Sequence, residues 1–342
     1  MKYFQEQYAL KNGHNGPVLA TKFIPNQRLV SAGMDSKINI WSLRNTNDTY
    51  VISDSQLQYS PITTIDFSTQ YNCLLTGSSS GKITLVDLTK GHKIFDYKAH
   101  GSNVINQLQS NSNDGSVYSV GDDGNLKVWD IRCSNPLVNL FHTDYPLFTL
   151  DSTSYGNKDH YYIYTTGLDP TIYIWDLRNQ NSNTNKIKGS KQKNCNPLQK
   201  LTTPTHNTNG STTSIALSPD KSKLVTFHFD NTLTVRSVEK NGTISTKIPV
   251  DYNTDVSNMI NHKKLCKNHN PGKFLSRVKF IDDNLLFAAG HIVDLADGID
   301  IVDDAIYLAN HNNTFIDVDF ISDKVASSFI DGNLELYSYN KF

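Results

Sequence analysis

One motif recurs along this chain, and that recurrence constrains the fold more than any other feature. Its clearest copy is Gly121-Asp-Asp-Gly-Asn-Leu-Lys-Val-Trp-Asp-Ile-Arg132. It returns as Gly167-Leu-Asp-Pro-Thr-Ile-Tyr-Ile-Trp-Asp-Leu-Arg178 and stands earlier as Gly33-Met-Asp-Ser-Lys-Ile-Asn-Ile-Trp-Ser-Leu-Arg44. In each copy a turn signal with Asp leads into alternating apolar residues that end at Trp. That is a tight turn feeding a half-buried strand. A degenerate copy, Gly77-Ser-Ser-Ser-Gly-Lys-Ile-Thr-Leu-Val-Asp-Leu88, has Val86 in place of Trp. Three weaker copies follow. Phe229-Asp-Asn-Thr-Leu-Thr-Val-Arg-Ser-Val238 has Arg236 there, Ala296-Asp-Gly-Ile-Asp-Ile-Val-Asp303 has Val302, and Ile330-Asp-Gly-Asn-Leu-Glu-Leu-Tyr337 has Tyr337. From Trp41 through Val86 and Trp129 to Trp175 the marks are 45, 43 and 46 residues apart.

At 342 residues the length alone suggests about two domains. A repeat array escapes that expectation because each copy adds its own slice of core, so residues 1–342 read as a single domain. The chain holds 32 basic and 33 acidic residues, a net charge of −1. Such a balance recruits neither nucleic acid nor an anionic membrane through a global field. Cys73, Cys133, Cys195 and Cys266 lie far apart with no CxxC pair, which suits a reducing compartment and builds no disulfide framework. The first residues, Met1-Lys-Tyr-Phe-Gln-Glu-Gln, show no apolar h-region, and no stretch reaches membrane-spanning length. The expectation is a soluble intracellular chain whose sequons, such as Asn47-Asp-Thr49, stay unglycosylated. No phosphate-loop, HExxH or GxSxG motif is present, and no cofactor is expected.

On these residues the chain resembles the WD-repeat family along nearly its whole length. The resemblance implies an all-β fold, a closed seven-bladed propeller of four-stranded antiparallel blades. Residues Tyr3 to Leu10 have the right length to complete the last blade as its outer strand, which removes exposed sheet edges. In the family a His, a strand Ser or Thr, the turn Asp and the Trp form a hydrogen-bonded line within a blade. The matching sets are His14, Ser31, Asp35, Trp41; His100, Ser119, Asp123, Trp129; and His311, Ser327, Asp331, Tyr337. Blades four and five keep Thr165 with Asp169 and Trp175, and Thr226 with Asp230, without a convincing His. A buried Asp needs several donors, and these side chains supply them. A catalytic Ser/His/Asp reading competes, but a constellation repeated in successive blades is structural, since an active site occurs once.

Two polar segments interrupt the period, about 179–210 and 251–271, and read as surface insertions. The second holds His262-Lys-Lys-Leu-Cys-Lys-Asn-His269, whose basic residues compete between a solvated loop and a contact to RNA phosphates. Cys266, His262 and His269 are one ligand short of a structural zinc site, so no metal is expected.

In the family, residues beside the turn Asp face the narrow top surface and touch partners. Here they are Met34, Asp122, Leu168, Phe229 and Ile330, joined by Asn103 and Tyr145 just ahead of inner strands. Apolar types at exposed turns suit an interface; the alternative is that several tuck against a neighbouring blade. Arg44, Arg132 and Arg178 close the pattern Trp-[Asp/Ser]-[Leu/Ile]-Arg. Such an Arg can pair with the Asp of its own motif, or present the tandem signature that substrate receptors of cullin-4 ubiquitin ligases show to their adaptor.

The order of the blades is similar to that of the WD-repeat subunits of the U5 small nuclear ribonucleoprotein. The similarity rests on Gly13-His14, Ser31-Ala-Gly-Met-Asp35, the two consecutive Trp-Asp blades, and Asn268-His-Asn-Pro-Gly-Lys-Phe-Leu-Ser-Arg-Val-Lys-Phe280 before blade six. It implies a non-catalytic nuclear scaffold of the spliceosome, monomeric within its complex and bound to the large U5 protein. Any RNA contact would be indirect or through the basic loops. Arg236-Ser237 in place of Trp-Asp and a rebuilt blade six depart from that pattern. The alternatives are a cullin-4 substrate receptor and a scaffold of another nuclear complex. A propeller hydrolase would need an acidic constellation in the channel, and none is evident in the sequence.

Overall fold

The computed structural model describes residues 4–11, 13–44, 49–52, 60–112, 115–132, 138–155, 160–177, 197–202, 211–229, 232–245, 253–255, 276–288, 291–295, 300–303, 315–322 and 324–339. Among these residues all regular structure is strand, assembled into seven four-stranded antiparallel sheets. The first sheet runs Val18–Ile24, Arg28–Gly33, Ile38–Ser42, Thr49–Ile52, in sequence order from inner to outer strand. The next five repeat that order, starting from inner strands Ile62–Ser68, Ile105–Ser110, Leu147–Tyr155, Thr212–Leu217 and Lys279–Phe280. The seventh starts at Phe315–Ile321, continues through Lys324–Phe329 and Leu334–Tyr339, and takes its outer strand from the other end of the chain. That strand is Phe4–Leu10, which pairs antiparallel with Leu334–Tyr339 from Phe4 opposite Tyr339 to Leu10 opposite Leu334.

The core is divided among the junctions between sheets. Each of seven apolar clusters draws its residues from two consecutive sheets, including the seventh with the first. At that last junction Leu10, Leu334 and Leu336 meet Val18, Leu29 and Trp41. Alternation explains the arrangement: a strand buried on both faces reads as a continuous apolar run, as in Cys73–Ser78, where every residue is buried. The mark residue of each third strand faces the preceding sheet. Trp41, Val86, Trp129, Trp175 and Tyr337 all sit in the cluster shared with the sheet before.

Three expectations are corrected here. In the sixth sheet the third strand is His291–Asp294, and Val293 packs toward the fifth sheet at the mark position. Val302 belongs instead to the outer strand Asp300–Asp303, whose alternation imitates the motif. The segment read as a loop over 179–210 contains the outer strand Gln199–Thr202, and that over 251–271 contains Asn253–Asp255.

The inner strands share a deformation. A bulge falls between Val18 and Ala20, Ile62 and Thr64, Ile105 and Gln107, Leu147 and Thr149, Thr212 and Ser214, and Phe315 and Asp317. A bulge re-aims the side chains that follow it. Here the re-aimed residues line a cavity of about 150 Å³ whose wall takes residues from all seven inner strands.

Candidate functional site

Two surfaces result from this arrangement: the end of the sheets that carries the tight turns, and the central cavity onto which it opens. The turns are held from within. In the third sheet Trp129 Nε1 donates to Ser119 Oγ at 2.8 Å, Ser119 Oγ lies 2.8 Å from His100 Nε2, and His100 Nδ1 lies 2.7 Å from Asp123 Oδ1. The first sheet repeats it with Trp41, Ser31, His14 and Asp35 at 2.9, 2.8 and 2.9 Å. An indole N–H only donates and a carboxylate only accepts, so with a neutral imidazole Nδ1 donates to the Asp and the hydroxyl donates to Nε2. Each Asp then organises its turn, accepting from the Asn15 and Lys37 amides in one case and the Asn125 amide in the other. Burial pushes the Asp123 carboxyl up, but the bonds from His100 and Asn125 outweigh it and hold it well below the usual range. Burial lowers His100, against the pull of Asp123.

The fourth, fifth and seventh sheets depart from this arrangement, each with different groups. In the fourth, Trp175 Nε1 donates to Thr165 Oγ1 at 3.0 Å, and the Tyr173 hydroxyl takes the place of a His by donating to Asp169 at 2.9 Å. In the fifth, His228 enters from the end of the second strand and sits 3.0 Å from Thr226 Oγ1. Neither Tyr173 nor His228 was singled out in the sequence. Arg236, at the mark position, is 2 % exposed, and its Nε and Nη2 have no hydrogen-bond partner among the described residues. In the seventh sheet the Tyr337 hydroxyl bonds Glu335, while Ser327 Oγ has no partner among the described residues. Asp331 accepts from the Asn333 amide at 3.0 Å. Asp230, His311 and Arg178 lie outside the described residues, as do Cys266, His262 and His269.

These sets resemble a Ser/His/Asp triad in connectivity but not in access. Ser31 and Ser119 are fully buried, and each hydroxyl oxygen already accepts an indole N–H. No substrate carbonyl reaches an oxygen so enclosed.

The channel overturns one expectation, for it does hold acidic residues. They follow the bulges of the second, fourth and seventh sheets, and they staple neighbouring sheets. Asp317 and Asp319 accept the Thr21 and Phe23 amides at 2.8 and 2.7 Å; Asp66 accepts Ser110, and Asp151 accepts Leu217. Thr64, Gln107, Thr149 and Ser214 play the same part toward Leu108, Leu150, Ile215 and Val278. In the first and sixth sheets these positions carry cations. Lys22 pairs with Asp66 at 2.8 Å and Lys279 with Asp319, each one sheet ahead. Asp66 raises the Lys22 ammonium above its ordinary value against burial. Burial raises Asp317, with Lys279 and the Thr21 amide opposing, whereas for Asp319 the two lysines outweigh burial and lower it. Carboxylates engaged this way are joints between sheets. Among the described residues no group of three or more His, Cys, Asp or Glu side chains is placed to hold a metal.

On the turn end, Met34 is 49 % exposed, Tyr145 52 % and Leu168 43 %. Asn103 and Asp122 are exposed, while Phe229 and Ile330 are partly covered. Phe229 lies edge-on to Phe148 of the fourth sheet with ring centroids 6.0 Å apart. Of the motif arginines, Arg132 donates to its own Asp130 at 2.8 Å, and Arg44 to Gln27 at 3.2 Å.

Comparison with known proteins agrees with this geometry. The family model "WD domain, G-beta repeat" matches residues 5–42 and 91–130, the segments holding the two complete Trp–Ser–His–Asp sets, so these two segments are similar to WD repeats. It is 32 % identical over 40 % of its length to the WD repeat-containing protein 91 homolog of Dictyostelium discoideum, covering 16 % of that protein. It is 26 % identical over 44 % of its length to the ribosome biogenesis protein ytm1 of Neurospora crassa, covering 33 % of it. It is also 29 % identical over 40 % of its length to the pre-mRNA-splicing factor cwf17 of Schizosaccharomyces pombe, covering 39 % of it. The chain thus spans well under half the length of each of these relatives.

Proposed function

We propose that the seven sheets close into a seven-bladed propeller, a single domain over residues 1–342 that serves as a non-catalytic scaffold for protein assembly in a nuclear complex. The observation that carries the reading is the contrast between the two surfaces. The channel acids are bound by amides and cations of neighbouring sheets. The turn end, by contrast, exposes large apolar side chains on turns held rigid from inside. Rigid, exposed apolar groups are characteristic of protein interfaces. The partner-contacting set is Met34, Asn103, Asp122, Tyr145, Leu168, Phe229 and Ile330, and the Trp–Ser/Thr–His–Asp sets are its structural support.

The complex we favour is the U5 small nuclear ribonucleoprotein, with the large U5 protein as partner and pre-mRNA splicing as the process. Similarity to a protein named as a pre-mRNA-splicing factor supports it, as does the order of the repeats. A second reading, assembly of the ribosome, is favoured by the similarity to ribosome biogenesis proteins of several fungi. The cullin-4 receptor reading is weakened by Arg132, which is paired with its own Asp130.

Affinity purification of the tagged full chain from nuclear extract, with mass spectrometry and probing for U5 and precursor ribosomal RNAs, tests this. Recovery of U5 RNA with the large U5 protein is expected. Precursor ribosomal RNA in its place would move the scaffold to ribosome assembly, and recovery of no stable protein complex would overturn the scaffold reading.

A further inference from the structure

The exposed apolar groups of the turn end are not spread evenly over it. Tyr145 and Leu168, both exposed, stand on the loop that enters the fourth sheet and on a turn within it. The Leu168 amide donates to Pro146 O at 3.0 Å, and Ser211 Oγ of the fifth sheet donates to Leu168 O at 2.7 Å. Phe148 and Phe229 extend the same sector. Its border on the side of the third sheet is acidic. Asp122 and Asp144 are both exposed, and Asp144 directly precedes Tyr145. Asn106 Nδ2 ties Asp122 to the fourth sheet by donating to Asp122 Oδ1 and to Leu147 O, each at 2.8 Å. The Thr143 amide donates to Gly124 O at 2.9 Å and fixes the loop that carries Asp144 and Tyr145.

Among the described residues, the cations Lys127 and Arg277 are bonded into this sector without pairing with Asp122 or Asp144. Lys127 Nζ is held by Ala99 O at 2.6 Å and lies 3.4 Å from Asp123. Arg277 donates to Gln107 Oε1 and to the carbonyls of Asn106 and Phe148. The surface that remains is apolar at its centre and negative at its edge.

We propose that this sector, formed by Tyr145, Phe148, Leu168 and Phe229 with Asp122 and Asp144, binds a basic protein segment that inserts an apolar side chain between flanking arginines or lysines. The proposal rests on the scaffold reading and names the chemistry of its partner. An apolar anchor covers Leu168 and the tyrosine ring, and flanking cations meet the two carboxylates, which set specificity and encounter rate more than they set affinity. A nucleic acid backbone would meet like charge here.

The probe is a short fluorescein-labelled peptide in which leucine and tryptophan are flanked by arginines, beside a counterpart with glutamates in place of the arginines. Anisotropy on the full chain should show binding of the first, weakening as salt rises, and none of the second. The Asp122→Asn, Asp144→Asn double variant should weaken binding about tenfold and flatten the salt dependence. Leu168→Ser should weaken it about tenfold without changing that dependence. All of these positions are exposed, and an unchanged melt would show that the variants fold. Equal binding of both peptides, binding indifferent to the variants, or no binding of the arginine peptide would overturn the proposal. The nuclear purification separates this from the wider reading. A complex recovered equally by the wild type and the combined variants keeps the scaffold and removes this surface. Absence of any complex removes the scaffold, while the peptide titration still decides the surface.

Discussion

Arg277 of the sixth sheet reaches across the channel and donates from Nη1 to Gln107 Oε1 of the third sheet at 2.8 Å. The same guanidinium holds Asn106 O at 2.6 Å and Phe148 O, so one side chain joins three sheets that are not all neighbours. Gln107 in turn accepts the Leu150 amide at 3.0 Å. Arg277→Met keeps an unbranched apolar stem and removes the donor to Asn106 O and Phe148 O, while Gln107 keeps the Leu150 amide. Urea unfolding should show a loss of about 2 kcal/mol. An unchanged midpoint would mean that water replaces the guanidinium at no cost.

A second prediction concerns acid. Burial lowers His100 below its ordinary value of 6.5, and the neutral ring is the form that can accept from Ser119. The unfolded chain therefore takes up a proton on this residue before the folded one does. Its contribution to stability is complete above pH 6.5 and fades as pH falls through the folded value. The gap in Tm between the wild type and His100→Asn should narrow as pH drops from about 7.5 to about 5. A gap that widens would give the shift the opposite sign.

Arg236 points to a gain. Its guanidinium is buried at the mark position with Nε and Nη2 unpartnered, and burial lowers its pKa. Arg236→Met removes the two unpartnered buried N–H groups and keeps most of the volume. It should raise stability by about 1 to 2 kcal/mol in urea titration. A destabilised variant would show that the arginine has an anionic or hydrated partner.

Gly124 links backbone geometry to the outer surface. Its φ is +69°, and a Cβ placed on it would stand 2.1 Å from Thr143 O. The fixed loop carries Asp144 and Tyr145. Gly124→Ala should cost about 2 kcal/mol and weaken binding of the arginine peptide, even though Gly124 touches no ligand. Loss of stability with unchanged binding would separate the loop from the surface.

Much of this was legible from local chemistry. The marks Trp41, Trp129 and Trp175 declare their strands because a turn Asp and period-two alternation stand at fixed distance from each. His14 and His100 are legible because they precede those marks at nearly constant spacing. Where donors change position, the pattern fails. Tyr173 reaches Asp169 from the strand after the turn, and His228 reaches Thr226 from the strand before it, so neither keeps the spacing of the residue it replaces. Val302 was mistaken for a mark because an outer strand alternates as a third strand does. The channel residues were hidden for a different reason. Lys22, Asp66, Asp151, Lys279 and Asp319 look like ordinary polar alternation within their own strands, and their partners lie one repeat away.

The account depends most on the ring being closed by the first strand. Phe4–Leu10 pairs along Leu334–Tyr339, and Leu10 is buried in the junction of the seventh sheet with the first. Thermal unfolding of the full chain beside a variant lacking residues 1–12 measures that joint directly. The variant should melt roughly 10 °C or more lower, over a broader transition, because the seventh sheet loses its outer strand and the adjoining cluster loses Leu10. An unchanged Tm and an equally sharp transition would contradict closure by this strand.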